Sequence, residues 1–454
     1  MAVAPVHPVC ALISPQEHRV AATTRTRLSA QERPISPLKV ASASFVGTAI
    51  EWYDYFIYGM AAGIVFGPLF FPAFSPTAGT LAAFATFSVG FLARPLGGVV
   101  MGHFGDKIGR KSMLVTSLLL MGLATAGVGL LPTYETIGVW APILLVALRF
   151  VQGIGVGGEW GGAVLMAVEH APPEKRCFYG SFPQMGVPGG LLLANVVFLT
   201  ATGVFPGDAF TAWGWRIPFL LSALLVVVGL AIRFSVDESP EFTKVKDEGN
   251  DERLPLITVL REHPRQVLLA AGGFLGNNTI GYLFMAYLLS YGTKTLGLSR
   301  TTMLTTTLIG AAAWLVVIPW ASRLADRHGR EKVLLLGSCG LSAWMFALFP
   351  LVDTANATLI IVAVLGAAFF LGVTYGPLAA LISDLFATRV RYSGASLGYQ
   401  IGSILGGGIA PTLATALYAT TGSSTPVTAY LVAVSLLSLG CLALIARDQQ
   451  KLTL

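Results

Sequence analysis

Apolar residues run in blocks of about 20 along most of this chain, and short polar loops separate one block from the next. Twelve blocks can be read, at 41–66, 78–101, 112–131, 139–166, 180–203, 215–234, 267–292, 302–321, 333–350, 358–381, 394–418 and 427–446. At about 1.5 Å of rise per residue, each is long enough to cross a hydrocarbon core of roughly 30 Å as a helix. Lipid offers the backbone no hydrogen-bond partners, so such a segment must satisfy its own N–H and C=O groups, and a helix does so. The pattern predicts an all-α membrane protein of twelve transmembrane helices.

Charge placement adds orientation. Only 11% of the 454 residues are charged against 54% hydrophobic, too few to clothe a water-soluble globule of this size. Of the 29 Lys and Arg, 24 fall in the first 40 residues, in alternate loops and in the last few residues. The other five are Arg216, Lys294 and Arg300 at the opposite face, and Arg94 and Arg149 deep inside apolar blocks. The positive-inside rule then places both termini in the cytoplasm. The net charge of +6 is spread over short separate loops, so it reports topology and no nucleic-acid surface is expected. Cys10, Cys177, Cys339 and Cys441 show no C-x-x-C spacing, so neither a disulfide framework nor a metal site is expected.

The longest charged stretch lies between blocks six and seven, and it divides the chain. The expected organisation is a cytoplasmic tail over 1–40, a six-helix bundle over 41–236, a cytoplasmic loop over 237–266, a second bundle over 267–446 and a tail over 447–454. The halves echo each other. Gly102-His-Phe-Gly-Asp106-Lys107-Ile-Gly109-Arg110-Lys111 follows block two, and Ser322-Arg-Leu-Ala-Asp326-Arg327-His-Gly329-Arg330-Glu331 follows block eight, 220 residues later. Glu169 precedes Arg176 by seven residues, as Asp384 precedes Arg391. Parallel six-helix repeats are the trace of a carrier whose site lies between its halves.

The G-x-x-x-D-[KR]-x-G-R-[KR] string resembles the signature loop of the major facilitator superfamily, and the resemblance covers about 40–446. Within it the chain is most similar to the metabolite/proton symporter branch, which includes permeases for shikimate, α-ketoglutarate, citrate and proline/betaine. Glu51-Trp52-Tyr53-Asp54, Phe91-Leu-Ala-Arg94-Pro95, Arg149-Phe-Val-Gln152-Gly153, Gly157-Gly158-Glu159 and Trp213-Gly-Trp215-Arg216-Ile-Pro218 carry that likeness, and 79–98 and 140–162 look most like the shikimate permeases. The resemblance implies two six-helix bundles, alternating access and no cofactor, the drive being the proton gradient.

Five charges inside apolar blocks point to chemistry, because each costs about 2.5–3.5 kcal/mol to place in hydrocarbon. They are Glu51, Asp54, Arg94, Arg149 and Glu159, all in the first half. Glu51, Asp54, Tyr55 and Tyr58 share one helix face, and Gln152 and Glu159 share another beside Arg149. A carboxylate in such a wall switches charge as water or an anion comes and goes, so Glu51, Asp54 and Glu159 are the expected proton-coupling groups. Expected solute contacts are Arg149, Gln152, Asn277, Asn278 and Tyr282, with Tyr53 and Arg94 from the shared strings. Static ion pairs, such as Arg94 with Glu159 or Glu51, are the competing reading. Asp106, Lys107, Gly109 and Arg110 in the first signature string, and Asp326, Arg327 and Arg330 in the second, are expected to latch the cytoplasmic end. The second departs from the family string at Ser322 and Glu331, which predicts a weaker latch.

Two decoys are set aside. A G-x-G-x-x-G from Gly153 to Gly158 and a G-x-S-x-G from Gly394 to Gly398 both lie in apolar helices without the strand that a nucleotide site or nucleophile elbow needs. No enzyme is expected. The reading is a monomeric inner-membrane symporter taking up a small organic acid or zwitterion with protons, its partners the solute, protons and lipid. The alternative is a proton-driven exporter, although Gly186-Val-Pro188-Gly-Gly190 does not fit the antiporter string G-x-x-x-G-P-x-x-G-G.

Overall fold

The computed structural model describes residues 37–108, 110–157, 159–169, 171–234, 255–386 and 391–453. Twelve long helices account for nearly all of them: α1 (Pro37–Ile64), α2 (Pro76–Ile108), α3 (Arg110–Leu130), α4 (Trp140–Val156, continued by Glu159–Glu169), α5 (Arg176–Val204) and α6 (Arg216–Phe234) form the first half. The second half holds α7 (Pro264–Tyr282, a π turn at Leu283–Tyr287, then Leu288–Lys294), α8 (Arg300–His328), α9 (Arg330–Val352) and α10 (Ala357–Ser383). It is completed by α11 (Arg391–Ser403, a π turn at Ile404–Gly408, then Ala410–Thr421) and α12 (Thr425–Thr453). Among the described residues, ten helices are long and apolar enough to cross a membrane. Helix α1 carries two carboxylates and α3 has a shorter apolar stretch, Val115–Leu130; they complete the twelve.

Pairing repeats between the halves. Helix α1 packs on α5, α2 on α4, and α3 on α4 and α6; likewise α7 packs on α11, α8 on α10, and α9 on α10 and α12. The halves meet where α5 touches α8 and α10, α2 touches α11, and α1 touches α7. Large apolar side chains such as Leu92, Leu123, Leu224, Val227, Leu336 and Phe346 stand exposed on the outside, the surface a bilayer would cover.

The signature strings are more helical than their polar composition suggests. Helix α2 runs on to Ile108 and α3 starts at Arg110, while α8 runs to His328 and α9 starts at Arg330. Each helix thus continues past its apolar block, and α8 ends at Gly329. Gly329 has φ +93°, and this backbone makes the sharp reversal between α8 and α9. Helix α12 likewise continues through 447–453, beyond its apolar block.

One interface places the site. A Cβ on Gly153 would lie 2.1 Å from the Gly90 carbonyl oxygen, and one on Gly157 would lie 2.2 Å from that of Arg94. Helices α2 and α4 therefore touch backbone to backbone, which sets Arg94 and Arg149 into one wall.

Candidate functional site

Arg149 is 0% exposed and Arg94 is 1% exposed, yet neither is neutralised by a salt bridge to a carboxylate among the described residues. Aromatic rings surround them instead. The Arg149 guanidinium carbon lies 4.1 Å from the Tyr55 ring centre, 4.3 Å from Tyr58 and 4.7 Å from Phe87. That of Arg94 lies 4.3 Å from Phe91, 4.4 Å from Tyr55 and 5.9 Å from Trp52. Each such contact contributes about 0.5–2 kcal/mol, so three rings offset much of the cost of burying the cation. The N–H groups remain unserved. Arg94 Nε donates to Tyr55 Oη at 3.1 Å and Arg149 Nη1 to Gln152 Oε1 at 3.0 Å, while both terminal nitrogens of Arg94, and Nε and Nη2 of Arg149, have no acceptor. The static pair of Arg94 with Glu159 or Glu51 is not formed, because α2 turns the guanidinium into the ring cluster.

The carboxylates are buried in the same half. Asp54 is 2% exposed and accepts a hydrogen bond from the Ser222 hydroxyl of α6. Beside it, Gln152 Nε2 donates to Thr125 Oγ1 of α3 at 2.6 Å, so Gln152 ties Arg149 to α3. Glu51 is 6% exposed, with Oε1 lacking a partner. Glu159, 1% exposed, accepts from Ser117 Oγ at 3.3 Å, toward the end where α1 begins. Tyr53 stands apart from this group as a helix tie: its hydroxyl donates to the Pro218 carbonyl of α6 at 2.6 Å.

The second half faces this wall with neutral groups. The Tyr282 ring lies 5.1 Å from Phe91, 5.8 Å from Trp52 and 6.0 Å from Phe87, closing on the Arg94 cage from α7. The hydroxyls of Tyr282 and Tyr399 and the Oε1 of Gln400 are buried without partners. The two asparagines are engaged inside their own half: Asn277 Oδ1 accepts from Thr374 at 2.9 Å, and Asn278 Nδ2 donates to Ser403 at 3.1 Å. Trp160 of α4 stacks on Tyr399 of α11 at 4.3 Å and donates to Gln184 Oε1 at 3.0 Å.

Hydrogen bonds cross between the halves at both ends. At the end where α1 finishes, Lys294 Nζ donates to Thr80 Oγ1 at 2.7 Å and Thr307 Oγ1 to Asn195 Oδ1 at 2.7 Å. At the other end the Asp326 carboxylate accepts from the backbone N–H of Cys177 at 2.9 Å and of Phe178 at 3.0 Å. Those groups open α5, where the helix dipole favours an anion. Arg330 donates to Asp384 and to Glu331, and Arg176 stands 3.7 Å from Asp384 across the halves. Glu331 thus orients Arg330, and the Ser322 hydroxyl turns back to Ile318, so neither departure from the family string removes the Asp326 contact. Arg327 is exposed. The side chains of Asp106, Lys107 and Arg110, and Gly109 itself, lie outside the described residues.

This architecture has known counterparts. The sequence matches the model of the Major Facilitator Superfamily over residues 44–411. The chain belongs to that superfamily. It is 45% identical to the inner membrane metabolite transport protein YhjE of Escherichia coli (strain K12) over 381 residues, 83% of this chain and 87% of the relative. It is 41% identical to the shikimate transporter of the same organism over 91% of this chain and 95% of that protein. The proline/betaine transporter of Salmonella typhimurium is 36% identical over 83% of this chain and 77% of its own length. A crystal structure of a D-xylose–proton symporter superposes with a TM-score of 0.69 at 18% identity, covering 89% of this chain and 97% of that one, a likeness of fold. This superfamily member is therefore a multi-pass membrane transporter of the metabolite permease kind, and its relatives are transport proteins and not enzymes.

Sequence reading singled out the buried charges and Tyr282 but not most of the rings and hydroxyls packed around them. Tyr55 and Tyr58 had a signal in their helical register with Asp54. Phe87, Phe91, Tyr399, Gln400, Thr125 and Ser222 had none, since an aromatic or hydroxyl side chain in an apolar segment looks alike whether it faces lipid or a partner helix.

Proposed function

We propose that this chain is a proton-coupled symporter that takes up a small organic anion by alternating access, with Arg94 and Arg149 as the anion's contacts and Asp54 as the principal proton site. The observation that carries the reading is the set of buried guanidinium N–H groups on Arg94 and Arg149 without an acceptor. Leaving such groups unmet costs about 1–3 kcal/mol each, so the site favours whatever brings acceptor oxygens to it. A cargo carboxylate does that, and Tyr282, Tyr399 and Gln400 offer it neutral partners from the other half. A proton on Asp54 removes a negative charge that interacts with Arg149, so proton and anion arrive best together. Contacts at both ends describe the occluded stage of such a cycle. Asp326 on α5 holds one end and Lys294 on Thr80 the other, and each must break for that end to open.

The orientation that fits the basic loops puts both termini and Asp326 on the cytoplasmic side of the inner membrane. Shikimate is the first solute to try, given the relatives, followed by dicarboxylates, which would bring acceptor oxygens to both guanidinium groups. The test is uptake by proteoliposomes with an imposed pH gradient. Accumulation of a carboxylate solute when the exterior is acidic, lost on collapsing the gradient, is expected; accumulation only under the reverse gradient would mean export.

A further inference from the structure

Helix α6 touches the proton site at one residue to which neither the sequence pattern nor the relatives give a role. Ser222 is 0% exposed, and its hydroxyl donates to Oδ1 of Asp54. One turn earlier on α6, the carbonyl of Pro218 takes the hydroxyl of Tyr53. Adjacent residues of α1 are thus tied to successive turns of α6, one tie purely between neutral groups and the other on a group that titrates.

We propose that Ser222 is a positioning residue for the coupled proton: its hydroxyl stabilises ionised Asp54 in place and thereby sets the pH at which the carrier loads. The inference rests on the proton-coupled reading and assigns it a second residue. A serine hydroxyl has one donor and two lone pairs, so it serves both charge states without moving its oxygen. To the carboxylate it donates; from the carboxylic acid it accepts. The proton enters from water on Asp54, forms an O–H bond there, and leaves to water on the other side.

The surroundings make Ser222 decisive. Around Asp54, α4 supplies Arg149, and α1 itself supplies Glu51, Tyr53, Tyr55 and Tyr58. Helix α2 supplies Arg94, with Tyr55 as its hydrogen-bond partner, and α7 places Tyr282 against Trp52. Helix α3 contributes the neutral Thr125, a second hydroxyl within reach of Asp54, but its proton goes to the Met121 carbonyl at 2.8 Å and it accepts from Gln152. Helix α5 passes α1 with glycine, Gly190 standing against the backbone of Ala49 and Tyr53. Arg149 is shared with Gln152 and three rings and, in the proposed cycle, with the cargo. Among the described residues, Ser222 is the one whose hydroxyl proton is given to the acid.

The sign follows. Removing a donor to the ionised form makes Asp54 hold its proton to higher pH. In proteoliposomes, Ser222→Ala should therefore keep taking up solute at alkaline pH where the parent protein stops, its midpoint raised by about one pH unit. Ser222→Thr, which restores the hydroxyl, should return the midpoint toward the parent value. Tyr53→Phe loosens the same helix pair without touching Asp54, so it should change the rate of uptake and leave the midpoint in place. An unmoved midpoint in Ser222→Ala, or equal shifts in Ser222→Ala and Tyr53→Phe, would overturn the assignment. A parent protein whose uptake ignores pH would instead overturn the proton-coupled reading on which it rests.

Discussion

Arg94 and Arg149 show how an ion survives in a membrane helix without a fixed counter-ion. Stacked rings lower the cost of desolvation but give the N–H groups nothing to donate to, so each guanidinium is held in place and left hungry for an acceptor. Lysine cannot substitute: it lacks the planar face that stacks and the fork that grips two oxygens. Arg94→Lys should lower uptake at subsaturating solute at least tenfold, and Arg149→Leu should abolish it, with both proteins still present in the membrane by immunoblot. Parent-like kinetics in either would remove that residue from the site. These charges were legible in the sequence because any ion in a hydrocarbon segment demands an explanation. Their cages were not, because Phe87 and Phe91 carry no mark that separates them from the exposed Phe346.

At the scale of elements, the sequence spacing located all twelve helices, since a length fixed by bilayer thickness leaves little freedom. It did not locate the irregular turns. Helix α7 loosens into a π turn at Leu283–Tyr287 and α11 at Ile404–Gly408, both next to the Tyr282 ring, and a Cβ on Gly407 would sit 2.4 Å from that ring. Such turns re-aim a helix where side chains must meet a ligand. Close approach is what sets α2 against α4, because their backbones touch through Gly153. Gly153→Ala has no flexible neighbour to push aside at the Gly90 carbonyl, and should destabilise the protein by about 1–3 kcal/mol, seen as a lower melting temperature in detergent. Gly203→Ala, with open space around the new methyl, should melt as the parent does. Equal melting of the two variants would mean that the α2–α4 contact is not close in solution.

Across the whole molecule the halves share a helix-pairing scheme but not a chemistry. The first half holds every intramembrane charge singled out above; the second offers the unpartnered groups of Tyr282, Tyr399 and Gln400. This division was readable from composition, whereas the state of the carrier was not: bridging bonds at both ends depend on pairs such as Asn195 with Thr307, 112 residues apart in sequence. In the proposed cycle this contrast between the halves gives a simple division of labour, in which the first half would bind the ions and the second would close over them. The most direct test needs no imposed gradient. Proteoliposomes loaded with a pH-sensitive dye are given solute from outside at equal pH, and the account predicts that the interior acidifies as solute enters, in the parent protein but not in Asp54→Asn. Solute entry with no change of internal pH in the parent, or acidification that persists in Asp54→Asn, would contradict it.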